Sequence, residues 1–323
     1  MRAVYAQAPC PQDPLAALRV GERPDPGPPP AGWTVLTVAA AALNHRDLFT
    51  LRGTNIDDAC FPMILGVDAA GFDAAGRPVV LYGLLPGRAE AGDETVASER
   101  SVMGQVHQGT CAAQVCVPTE NLLPVPDGMP LTEAACVFGA WASAYHMLFT
   151  RGGARPGHRV LVQGGAGGLA SGLITLARAA GLRVLATART EDKRRYALEI
   201  GAHEVLAPGA ALSEPVDLVV DSVGRATWAH SLRSVRRGGT VVVGGVTTGG
   251  YPPAHLSRIF YEEITVAGAM AATRAEFAAT LAFMQQSGIR PRLDRVVPFA
   301  QAPTALADLL AGRVRGKLVL TPD

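Results

Sequence analysis

Apolar positions change their spacing partway along the chain. Up to about residue 125 they fall in short runs of strand length, WTVLTVAA (33–40), RPVVLYG (77–83) and AAQVCVP (112–118), set apart by Pro and Gly. A DPGPPPAG segment at 25–32 reads as turn. The pattern predicts an antiparallel, partly barrel-like β domain. Residues 84–109 carry little periodicity and several polar side chains, a loop long enough to be either a functional lid or simply mobile.

From about residue 158 the pattern becomes strand–helix alternation. RVLVQ (159–163) reads as a buried strand, and LRVLATA (182–188), HEVLA (203–207), VDLVVDSV (216–223), TVVVGGV (240–246) and EITVAGA (263–269) read as short apolar strands. A helix follows the first of them, with Leu169, Leu173, Leu176, Ala177 and Ala180 on one face. The prediction is an α/β fold with a Rossmann-type, doubly wound parallel sheet covered on both faces. After residue 270 come a helix (RAEFAATLAFMQQSG), a strand (LDRVVPF), another helix and a closing GKLVL strand.

The turn after the first of these strands carries candidate chemistry. Gly165, Gly167 and Ala170 satisfy G-x-G-x-x-G/A between a strand and a helix. Gly165 would permit the sharp turn, Gly167 the approach of a pyrophosphate, and Ala170 close packing of helix on strand. Gly168 and Leu169 open the helix, where unpaired N–H groups and the positive dipole end face the anion. A ligand-free tight turn is the competing reading. At the end of the second strand, where NAD-binding versions place a carboxylate, stand Arg189 and Thr190, with Lys193 one turn on. Two cations suit the 2′-phosphate of NADPH, unless they are ordinary solvated charges beside Glu191 and Asp192. Ser222, in the turn after Asp221, and Gly244 and Val246 lie at strand ends, where open α/β sheets bind ligands, so the cofactor cleft is the expected place for them, although tight turns would explain the same residues.

Composition narrows the field. A chain of 323 residues suggests two domains, and 48% apolar with 18% charged residues fits packed globular cores. A net charge of +1 gives no reason to expect nucleic acid or an acidic membrane as partner. MRAVYAQAPC is not an apolar signal segment, and no 18-residue apolar run follows, so a cytoplasmic location is expected. The odd, scattered set Cys10, Cys60, Cys111, Cys116 and Cys136 reads as free thiols.

The stretches VAAAALNHRDLFTLRG (38–53), FPMILGVDAAGF (61–72), VLVQGGAGGLASGLITLARAAGLRVLATART (160–190), VVDSVG (219–224) and GKLVL (316–320) resemble the medium-chain dehydrogenase/reductase superfamily. More narrowly, the chain is similar to its zinc-less quinone oxidoreductase and enoyl reductase branch. The resemblance implies a GroES-like catalytic β-barrel domain over 1–125, completed by about 290–323, with the Rossmann domain at 126–289, and a homodimer joined at sheet edges. Zinc-dependent members carry ligands where this chain has Asn44, Val67 and Ala140, none of which suits zinc. No metal is therefore expected. The implied reaction is NADPH-dependent hydride transfer to a small-molecule quinone or conjugated C=C. A metal-free alcohol or aldehyde dehydrogenase, or a cofactor-binding protein with little turnover, are the alternatives.

The resemblance places Asn44, His45 and Asp47 beside the nicotinamide. Asn44 is either a donor to the substrate oxygen or an Asx-turn former. His45 is either a proton donor or a surface residue, and Asp47 either catalytic or an orienting partner of backbone, Arg46 or Arg52. Ser143 falls near the expected nicotinamide end of the cofactor cleft. Asp68 needs a buried partner. Tyr82 and His107 border the 84–109 loop, and Lys317 either approaches the cofactor or is an exposed strand lysine.

Overall fold

The computed structural model describes residues 1–85 and 93–323. Two compact units emerge: Met1–Ala140 with Thr273–Gln286 and Arg290–Asp323, and Trp141–Ala272 with Ser287–Ile289. The first unit thus takes in 126–140 and 273–286, which the sequence reading assigned to the Rossmann domain. Aromatic packing accounts for this. Phe138 and Phe277 lie with ring centroids 5.0 and 6.0 Å from that of Tyr82, and 5.7 Å from each other, in one buried cluster.

The first unit is built on a seven-stranded, largely antiparallel sheet. Its long central strand, Trp33–Ala42, pairs with Asp68–Phe72 and Gln114–Pro118, and its end meets the closing strand Lys317–Thr321 through Val319↔Ala42 and Leu320↔Ala41. Strands whose paired residues Ala42 and Val319 are 277 positions apart in sequence therefore share one sheet. A Cβ on Gly71 would lie 1.9 Å from the Thr37 carbonyl oxygen, so only glycine lets these strands pair so closely. Within the aperiodic 84–109 stretch, Leu84–Leu85 pairs with Ser101–Val102, and Glu94–Val96 makes a helical turn. The lid reading of this stretch falls partly on 86–92, which lie outside the described residues.

The second unit holds a six-stranded sheet, all parallel, in the order Glu204–Leu206, Arg183–Thr187, Arg159–Val162, Val216–Asp221, Val235–Val243, Thr265–Gly268. The order reverses beside Arg159–Val162, the topological switch point of a doubly wound sheet. Val160, Leu161 and Val162 are wholly buried there, each contributing about 1.5–3 kcal/mol by burial. The helix Gly168–Ala179 is buried over more of its surface than the predicted single face: Ala170, Ser171, Gly172 and Ile174 join Leu173, Leu176 and Ala177. Strands cover one side of it and the helical segment containing Trp141 and Ala144 covers another. No helix of the described residues is long and apolar enough to cross a membrane.

Candidate functional site

The glycine loop lies at the switch point, between Val162 and Gly168. The sharp turn falls on Gly164, at φ +76°, not on Gly165 as the motif suggested. Gly165 serves close approach instead, since a Cβ there would sit 2.9 Å from that of Ala186. A Cβ on Gly167 would meet nothing within 4 Å, so the backbone faces open space. No side chain caps the following 12-residue helix, which leaves the N–H groups of Gly168 and Leu169 to a ligand. Open glycine backbone, uncapped donors and a positive helix end fit a pyrophosphate.

At the end of the neighbouring strand Arg189 is exposed and makes no hydrogen bond or ion pair among the described residues. Partial burial and the Arg189 charge push the Lys193 ammonium below its ordinary pKa. Glu191 is taken by Arg194 at 2.7 Å and Asp192 pairs with Arg195. Two adjacent cations, one of them unpaired, suit an added anion. On the other side of the switch point, Asp221 caps its own turn by accepting the N–H groups of Val223 and Gly224. That turn, with half-buried Ser222, packs against the loop at Gly244 and Gly245, where a Cβ on Gly245 would lie 2.6 Å from the Ser222 oxygen. Val246 is exposed and Ser143 half-buried.

The first unit gathers its candidates into one network. Asn44 precedes the helix His45–Arg52, and its backbone N–H donates to Asp47 Oδ2 at 2.7 Å; Asp47 Oδ1 accepts from Gly66 N–H at 2.9 Å. Asp47 thus orients backbone and forms no ion pair with Arg46 or Arg52. The Asn44 side chain turns elsewhere. Its Nδ2 donates to Asp68 Oδ2 (2.9 Å) and to the Ala42 carbonyl (3.2 Å), while its Oδ1 accepts from Lys317 Nζ at 2.7 Å. Lys317 Nζ also donates to Leu43 O at 3.0 Å and to Asp68 Oδ2 at 3.3 Å, and Asp68 Oδ1 accepts from Gly139 N–H at 2.7 Å. The amide orientation follows from charge, since only oxygen can face the ammonium and only N–H the carboxylate.

Lys317 is 3% exposed, so the closing-strand lysine is buried and not a surface residue. Its partners were missed in the sequence, although a signal existed. KLVL is buried on both faces, as a continuous apolar strand should be, and Asp68 in an apolar run required a cation. Of Asn44, Asp47, Asp68 and Lys317, Asn44 alone is more than marginally exposed. His45 is exposed at the helix start. Tyr82 is buried, its hydroxyl donating to Glu94 at 3.1 Å. Burial and the Glu94 charge raise the Tyr82 pKa. His107 packs its ring on Trp33 and lines a cavity of about 770 Å³ with Trp33, Ser101 and Glu120. Cys111 is buried while Cys116 is half-buried, and burial lifts the Cys111 thiol well above its usual pKa.

Burial also pushes the Asp47 carboxyl up to about 6, against the opposing pull of its two N–H donors and of Lys317. An unfolded Asp titrates near 3.9, so between about pH 4 and 6 the folded chain holds a proton that the unfolded chain has released. This contribution to stability is complete below about pH 4 and is lost as pH rises through about 6, by an amount on the order of 3 kcal/mol. Asp47→Asn should flatten that part of the curve in denaturant titrations at stepped pH. An unchanged slope would place the titration on another group.

The family described as "Alcohol dehydrogenase GroES-like domain" matches residues 30–127, and that described as "Zinc-binding dehydrogenase" matches 168–286. The chain is 27% identical over 299 residues to acryloyl-coenzyme A reductase of Sulfurisphaera tokodaii, covering 86% of this chain and 88% of that one. It is 28% identical over 310 residues to a protein of Bacillus subtilis described as "Putative quinone oxidoreductase YhfP", covering 90% and 91%. A crystal structure of an NAD-dependent alcohol dehydrogenase superposes over the whole of both chains with a TM-score of 0.92 at 29% identity.

Proposed function

The chain belongs to the medium-chain dehydrogenase/reductase superfamily, and from that premise we propose that it is a zinc-independent, NADPH-dependent reductase of a quinone or conjugated C=C compound. The observation that carries the proposal is the Lys317 ammonium, held between Asn44 and Asp68. Zinc needs thiolate, imidazole or carboxylate donors. Here the Asp68 carboxylate and the Asn44 carbonyl are spent on a buried cation, which would repel a metal ion, and Val67 and Ala140 are apolar. Without a Lewis acid, hydride acceptors that are already electrophilic suit the site better than plain alcohols. The acryloyl-coenzyme A reductase and quinone oxidoreductase relatives support the same substrate class.

Bound NADPH supplies the hydride. Gly167, Gly168 and Leu169 seat its pyrophosphate on the loop that Gly165 closes against the neighbouring strand, and Arg189 and Lys193 hold its 2′-phosphate. Ser143, Ser222, Gly244 and Val246 complete the cofactor contacts. Asn44 donates to the substrate oxygen, Asp47 holds the Asn44 turn, and exposed His45 delivers the proton. The setting is a cytoplasmic homodimer with no nucleic-acid or membrane partner. Support for the dimer comes from the sheet edge Thr265–Gly268, preceded by the exposed side chains of Leu256, Phe260 and Tyr261.

NADPH oxidation, followed spectrophotometrically against quinones, enones and enoyl thioesters, tests the activity. Turnover with NADP⁺ and simple alcohols alone would replace it by the alcohol dehydrogenase reading that the superposed neighbour favours. Cofactor choice has its own test in Arg189→Ala. The loss of a charge-assisted contact should weaken NADPH about 10-fold or more and leave NADH nearly unchanged. Wild-type preference for NADH would overturn the 2′-phosphate assignment.

A further inference from the structure

Beneath the glycine loop runs a chain of buried polar groups that the proposed chemistry does not use. Gln163, just past the strand Arg159–Val162, donates through Nε2 to Ser231 Oγ at 3.1 Å and to His230 Nδ1 at 2.9 Å. Its Oε1 accepts the Thr187 hydroxyl at 2.8 Å. Thr187 Oγ1 accepts from Gly164 N–H at 3.2 Å, and the Thr187 carbonyl from Gly165 N–H at 2.7 Å. At the far end Ser231 donates to Asp221 Oδ2 at 2.6 Å, and Asp221 Oδ1 holds Val223 and Gly224.

His230 decides the direction of the Gln163 bonds. Its Nε2 lies 2.9 Å from the Ala210 carbonyl, which can only accept, so in the neutral imidazole Nε2 carries the proton and Nδ1 is the acceptor. The Gln163 amide must then point its NH₂ toward His230 and Ser231 and its oxygen toward Thr187. Gln163, Thr187, His230, Ser231 and Asp221 are all buried, so water cannot replace a bond that opens.

Three segments hang from this chain: the glycine loop, the strand end that leads through Thr187 to Arg189, and the turn 221–224. We propose that Gln163, oriented by His230, is a positioning residue that sets the spacing of these three segments and thereby the affinity for NADP(H). The proposal rests on the nicotinamide-cofactor reading above. A shift of any one segment opens a buried hydrogen bond, so the three hold one another in the ligand-ready arrangement before the cofactor arrives.

The test is equilibrium binding of NADPH, and of its nicotinamide-free fragment 2′-phospho-ADP-ribose, to the full chain, with circular dichroism and Tm recorded alongside. Gln163→Met keeps the length and removes the polar atoms. It should weaken both ligands about 10-fold at a temperature where the fold is intact. His230→Phe should show the same loss, and His230→Asn, whose Oδ1 accepts in place of Nδ1, should recover most of the affinity. Gln163→Met that lowers Tm yet binds NADPH as tightly as wild type would make the chain structural only and overturn the proposal. Equal affinity of the Asn and Phe variants would overturn the role given to His230. Wild-type protein that binds neither ligand would overturn the cofactor reading first, and the proposal with it.

Discussion

Lys317→Met should lower the unfolding free energy by about 3–5 kcal/mol, the usual cost of leaving one member of a buried ion pair without its partner. The Asp68 side chain is wholly buried, and the ammonium is the cation beside it. Removing it leaves Asp68 Oδ2 with the Asn44 amide alone and strands the oxygens of Leu43 and Asn44. The double variant Lys317→Met, Asp68→Asn removes both charges and should regain part of the stability, which separates charge from lost volume. Denaturant unfolding measures all of these. A loss below about 1 kcal/mol, or a double variant no better than the single, would show that the pair is not what holds this region.

Asn44→Ala should reduce single-turnover hydride transfer about 100-fold, the effect of losing one donor felt most in the transition state. Asn44 is the half-buried member of the network, and on the proposed reading its longer bond, 3.2 Å to Ala42 O, is the one exchanged for the substrate oxygen. The truncation also takes an acceptor from Lys317 and a donor from Asp68, so stability should fall too. Hydride transfer is therefore measured where the variant is folded. NADPH affinity should change little, because the groups assigned to its phosphates belong to the second unit. A normal rate of hydride transfer would reduce Asn44 to a structural member of the network.

The parallel sheet was legible because its central strands are buried on both faces and read as mostly apolar runs such as RVLV and TVVV, while the edge strands Glu204–Leu206 and Thr265–Gly268 are half-buried or exposed. The glycine loop was legible for a different reason. A turn that must bring backbone close to the next strand and leave its donors open admits few residues other than glycine, and spacing alone reveals that. The positions within the loop were less so. Which glycine takes positive φ depends on how the strand leaves the sheet, and it proved to be Gly164.

The Asn44 network was legible only in part. Asp68 in its apolar run demanded a partner, but nothing local named it, because Lys317 lies 249 residues away and joins Asp68 through the pairing of the closing strand with Trp33–Ala42. The same holds for Gln163 and His230, which 67 residues separate. Local sequence determined the elements, the parallel sheet and the glycine turn, since hydrophobic period and backbone freedom are properties of neighbouring residues. Tertiary structure decided which buried charges meet and which way each hydrogen bond runs. Those depend on sheet register and on the removal of water, which no short stretch of chain contains.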